Sequence, residues 1–228
     1  MDIFIKSKLI PALTALLLCL GLPNAASAAI ALYDYGFNID GTTTVFGDPL
    51  PTAIDASGFD FNTGLGSIDI TLTGFGTHSV IGFFDHEIDE PINTYFNELG
   101  SASGAPTAGQ SWEIDEPDQA FGDIVANFFA GSLDNSVGAN FADDVSMAMG
   151  WDFTLALGEQ ALISLALGTS APGGFFLQHN DPNSQESIFL SGTLGIFPVN
   201  PIPVPAAIWL FGTGLLGLIG FSRRKLAA

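Results

Sequence analysis

The sequence predicts an all-β body folded as a single β-sandwich, on three observations. Short runs of β-prone residues recur between clusters of Gly, Pro, Asn and Asp. One of them, Ser67 to Thr73, alternates strictly, with Ile68, Ile70 and Leu72 on one face and Asp69 and Thr71 on the other. The last third of the body then places four such runs in succession. Short strands at this spacing belong to a sandwich of the immunoglobulin-like or jelly-roll-like kind.

Taken in order, Ser67 to Thr73 is followed by an apolar strand over Ser79 to Phe84. Asp123 to Phe129 has the pattern of a short helix. The four late strands are Met149 to Leu157, Ala161 to Leu167, Gly174 to Gln178 and Ser187 to Ile196, and Leu157-Gly158-Glu159-Gln160 reads as the hairpin turn joining the first two. No Pro/Gly-rich linker divides residues 29–199, so the body is read as one domain.

Residues 1–28 read as a signal peptide. Lys6 and Lys8 precede an apolar run from Leu9 to Leu22, too short for a comfortable span, and Ala26 and Ala28 offer the small side chains that signal peptidase accepts. Cleavage is expected after Ala28, leaving Ala29 as the first residue. Residues 200–228 form a tail in three parts. A proline-spaced linker comes first, then an uncharged transmembrane helix over about 206–221, then Arg223-Arg224-Lys225. The basic end is a cytoplasmic stop, so the body is exported across the inner membrane. Gly212 to Gly217 fits a dinucleotide-binding spacing, but it lies within this apolar span and not after a strand, so it is read as helix packing.

Charge is distributed unequally. All five Lys and Arg are at the two ends, and the body between Lys8 and Arg223 holds every carboxylate but Asp2. Such a surface cannot displace counterions from a phosphate backbone, which excludes nucleic acid as a partner. A buried acid here must be stabilised by backbone donors, a histidine or a metal. The lone Cys19 falls in the signal peptide, so the mature chain has neither disulfide nor thiolate chemistry.

One pentapeptide occurs twice, as Glu87-Ile88-Asp89-Glu90-Pro91 and as Glu113-Ile114-Asp115-Glu116-Pro117. If the copies are neighbours, Glu87, Asp89, Glu90, Glu113, Asp115 and Glu116 converge, and a hard cation such as Ca²⁺ is the cofactor their oxygens would take. The alternative is a pair of solvated strand ends. Catalytic signatures are missing: His78, His86 and His179 lack metal-ligand spacing, and Gly100 to Gly104 carries Ala where a nucleophile elbow needs its Ser. A non-enzymatic protein is therefore expected. The alternatives are a carbohydrate-binding module presenting Trp112 or Trp151, or a secreted hydrolase.

The tail resembles the PEP-CTERM sorting signal, closest to its VPLPA variant. The likeness rests on Ile202-Pro203-Val204-Pro205-Ala206-Ala207, Trp209-Leu210-Phe211, the Gly/Leu span and the closing Arg-Arg-Lys. No Glu stands between the prolines, unlike the eponymous form. The resemblance implies an exosortase as partner, transient anchoring in the inner membrane, and then a cell-surface or extracellular location associated with exopolysaccharide. The run from Asp85-His86-Glu87 to Ser111-Trp112 is similar to a body type carried by proteins with this tail, which implies a shared fold and export route.

Overall fold

The computed structural model describes residues 29–89, 94–117, 121–138 and 143–199, together with Phe211. The expected signal peptide, almost all of the tail, and Glu90 to Asn93 lie outside the described residues, and so do the site residues expected there: Ala26, Ala28, Glu90, Ile202 to Ala207, Trp209 and Arg223 to Lys225.

Two six-stranded sheets face each other, as the alternation predicts. The first runs β2 (Thr42–Val45), β1 (Ile30–Ile39), β5 (Gly76–Ile88), β9 (Ser146–Leu155), β7 (Gln110–Asp115), β8 (Ser136–Val137). The second runs β3 (Ile54–Asp60), β4 (Leu65–Thr73), β10 (Glu159–Gly168), β12 (Ser187–Pro198), β11 (Phe176–Asn180), β6 (Leu99–Ser103). Pairing is antiparallel throughout except between β7 and β8. The first hairpin turns on Asp40-Gly41, both at positive φ, the backbone that a two-residue turn matching the strand twist requires.

Period-two alternation sorts each strand's residues between two environments. Ile68, Ile70, Phe84, Met147, Met149, Trp151, Ile163 and Leu165 are buried between the sheets. The opposite face of the first sheet is covered by a short helix, α1 (Ile124–Ala130), where Ile124 and Phe128 pack on Ile81, Phe83 and Ala148. At about 25 cal/mol per Å² these apolar faces supply the main drive to close the sandwich.

Strands at Ser67–Thr73 and Ala161–Leu167, and the helix at Asp123–Phe129, stand where the pattern puts them, within a residue or two. β5 does not: it continues past Phe84 to Ile88. The apolar pattern stops at Phe84, yet Asp85, His86 and Glu87 are buried with partners, so the strand outlasts its hydrophobic signal. Among the described residues no helix is long and apolar enough to cross a membrane; the expected span lies outside them.

Candidate functional site: an acidic cleft beside a buried polar array

Chemistry concentrates at one end of the sandwich, where β5 leaves its apolar stretch. His86 follows the inward face of β5 and is fully buried. Its Nε2 lies 3.1 Å from the carbonyl of Gly64, to which it donates. Gly64 has φ of +69°, and a Cβ there would collide with the His86 ring, so only glycine serves. From the facing sheet, β11 brings in His179, whose Nε2 is 2.6 Å from Oε2 of Glu98. The other oxygen of Glu98 accepts from the Ile88 N–H at 3.3 Å, tying the end of β5 to the segment before β6.

Burial decides the protonation of this array. It pushes both imidazoles down to about 3, so each is neutral. Glu98 is pushed up to about 8, chiefly by burial and further by Asp181. The contact therefore joins a neutral carboxylic acid and a neutral imidazole, with no ion pair. On the outward face, Asp85 accepts from the Ser146 hydroxyl at 2.8 Å, and burial with nearby Asp144 raises it to about 8.

The two acidic repeats do not converge. β5 and β7 both pair with β9, but Asp85 and Asp115 share Ser146, so Glu113 stands level with Phe83 and Glu87 lies four residues further along. A whole strand separates the copies as well, about 10 Å across the sheet. Asp89 instead turns back with φ of +58° and binds the start of the body, while Glu87 is buried. Glu113 collects different neighbours: Asn127 donates to it at 3.0 Å and the Asp134 N–H at 3.1 Å. Burial raises Glu113 to about 7. Glu113, Asp123 and Asp134 bring one oxygen each within 4.8 Å of one another, a spacing that could hold a metal ion, and they are the only such trio among the described residues. Of the five described acids among those named from sequence, only Glu113 belongs to it.

Asp115 and Glu116 turn to another feature, a cleft of about 370 Å³ between the sheet edges made by β7–β8 and β6–β11. Its polar lining includes Asp115, Glu116, Asp143, Asp144, Gln178 and Asn180. Leu99, Val137 and Phe121 supply apolar surface, with Phe121 exposed at 70%. The aromatics expected to face a sugar are elsewhere: Trp151 is buried in the core, and Trp112 packs half-buried against Phe175. Sequence reasoning passed over Phe121, Asp143, Gln178 and Asn180 as cleft residues, because they come from separate segments that only the sheet edges bring together.

Comparison with known proteins bears on the tail. Residues 201–225 match the family model of the PEP-CTERM protein-sorting motif, as the proline motif, span and basic end imply. That motif identifies an exported chain, anchored through its C-terminus and sorted to the cell surface by an exosortase. No curated protein and no solved structure matches the chain.

Proposed function

We propose that this protein is a non-catalytic component of the cell surface or extracellular matrix, and that it associates with exopolysaccharide through the cleft at the sheet edges. The sorting motif supports the address. The observation that carries the association is the composition of the cleft. Carboxylates and side-chain amides suit hydroxyl donors and acceptors, and a solvent-facing Phe121 ring suits the C–H face of a pyranose.

The absence of cations narrows the glycan. With no Lys or Arg between residues 9 and 222, the cleft repels uronate, sulfate and phosphate groups and favours neutral or amino sugars. The non-catalytic reading draws on the histidines. His86 and His179 are sealed between the sheets on Gly64 and Glu98, and His78 is held by Asp40 at 2.9 Å. Each imidazole is engaged in holding structure.

The test is fractionation of the host into membrane, matrix and medium, with terminal peptide mapping of each pool. Wild type is expected in the matrix, beginning at Ala29 and lacking Arg223 to Lys225. Phe121→Ala, a surface change that leaves the fold intact, is expected to move the protein into the medium. Full-length protein confined to the membrane would overturn the sorting half of the proposal. Matrix retention unaffected by Phe121→Ala would overturn the role of the cleft.

A further inference from the structure

The first acidic repeat ends in a contact that acquires its full meaning only in the processed chain. The Ala29 nitrogen lies 2.7 Å from Oδ1 of Asp89, and the Asp89 N–H donates to the Ala29 carbonyl at 2.9 Å. The two residues grip each other at the open end of the β1–β5 pair, whose register runs from Ile30 opposite Ile88. Asp89 reaches this position with φ of +58°, a left-handed conformation that Asp and Asn tolerate better than most residues.

In the precursor the Ala29 nitrogen is an uncharged peptide N–H. Hydrolysis of the Ala28–Ala29 bond adds water across it: a carboxylate leaves on Ala28, and Ala29 keeps an amine that is protonated below its ordinary pKa of about 8. Since residues 29–199 contain neither Lys nor Arg, that ammonium is the sole fixed positive charge of the body. Asp89 already stands at hydrogen-bond distance from it.

We infer that signal-peptide removal after Ala28 creates a built-in ion pair between the new α-ammonium and Asp89, a receptor site for the mature N-terminus that fastens β1 to the end of β5. Processing adds a positive charge to the donor, so a hydrogen bond from a neutral N–H to the Asp89 carboxylate becomes an ion pair. The mature body is thereby more firmly closed than the precursor. The pairing requires this cleavage position, because a chain starting one residue earlier or later would not place its ammonium on the carboxylate.

The same absence of lysine makes the test clean. In the processed protein the α-amine is the only amine of the body, and Lys225, where the tail is retained, serves as an internal reference. The protein is purified from its host as wild type and as Asp89→Asn, which keeps the left-handed backbone and an acceptor oxygen while removing the charge. An amine-acylating reagent at pH 8 is expected to modify Ala29 about three- to tenfold more slowly in wild type, because the paired ammonium holds its proton and is not nucleophilic.

Acetylation of that amine is then expected to lower the melting temperature of wild type by about 2–4 °C and to leave Asp89→Asn unchanged. Equal acylation rates in the two proteins would overturn the pairing. So would an equal loss of stability on acetylation, since Asp89 would then serve only as a neutral cap. A mature sequence beginning anywhere but at Ala29 would overturn the assignment of the site.

Discussion

Glu87 to Pro91 and Glu113 to Pro117 are one pentapeptide set twice into the chain, and the surroundings of the two copies give them different roles. The first closes β5, a long strand with a neighbour on either side, and its Asp89 turns back to take hold of Ala29. The second lies on β7, next to the two-residue edge strand β8, so its acids meet a loop, a helix and a cleft. Glu113 fastens Asn127 of α1 and the Asp134 backbone, and Asp115 accepts from the Asp123 N–H at 3.2 Å. Sequence identity over five residues fixes the alternation of faces; the neighbouring strands decide what each face touches.

The largest effect that separates the copies is expected at Glu113. Glu113→Ala removes a buried carboxylate that holds the half-buried Asn127 amide and the Asp134 N–H, and the lost bonds together with the space left behind cost about 2–3 kcal/mol. A melting temperature lower by about 5–10 °C, by calorimetry, is expected. Glu113→Gln, which keeps one acceptor, should recover a large part of it. In the first copy Asp89→Ala, at the half-buried end of its strand, should cost no more than about 1 kcal/mol. Equal losses in the two copies would contradict the division of roles.

A pH scan tests the same division through charge. Asp85 and Glu98, held near 8, and Glu113, held near 7, keep their protons in the folded chain and release them once unfolded. The folded state then binds more protons than the unfolded one from about pH 4 up to those values, so stability falls as pH rises through that window. His86 and His179, pushed down to about 3, act in the opposite sense: the unfolded chain binds the extra protons below about pH 6.5, and stability is lost as pH falls toward 3. Raised acids outnumber lowered histidines, so the melting temperature is expected to peak near pH 4–5 and to decline toward pH 8. Glu98→Gln removes one titrating acid and should flatten the decline, each group contributing at most about 1.4 kcal/mol per pH unit.

The sandwich was legible because the burial of β4 from Ser67 onward and of β10 alternates with period two, and β12 begins the same way over Ser187 to Ser191. The hairpin at Asp40-Gly41 carries an equally strong signal, an Asp-Gly pair between β-prone runs. The extension of β5 was not legible in the same way, because Asp85, His86 and Glu87 look like a solvated end until Ser146 and Gly64 are placed against them. The partnership of Glu98 with His179 joins positions 81 residues apart and leaves no trace in spacing. Whether the repeats converge is not readable from the motif itself, because strand order and register lie beyond its reach, and β9 intervenes.

The smallest effect separates two neighbours on a single strand. Glu113 and Asp115 point the same way from β7, yet Glu113 is sealed while Asp115 is half-buried at the cleft. Asp115→Asn retains an oxygen for the Asp123 N–H, and the lost charge faces water, so the cost should be below about 0.5 kcal/mol, a melting shift of at most about 2 °C. Its effect belongs to the ligand instead. With one carboxylate neutralised, binding of an amino sugar should weaken and lose part of its salt dependence, while a neutral sugar should be held nearly as before. Titration of the purified full-length protein with each sugar type at low and high salt distinguishes the two. A large melting shift from Asp115→Asn would mean that this carboxylate supports the strand, and the second repeat would then be structural along its whole length.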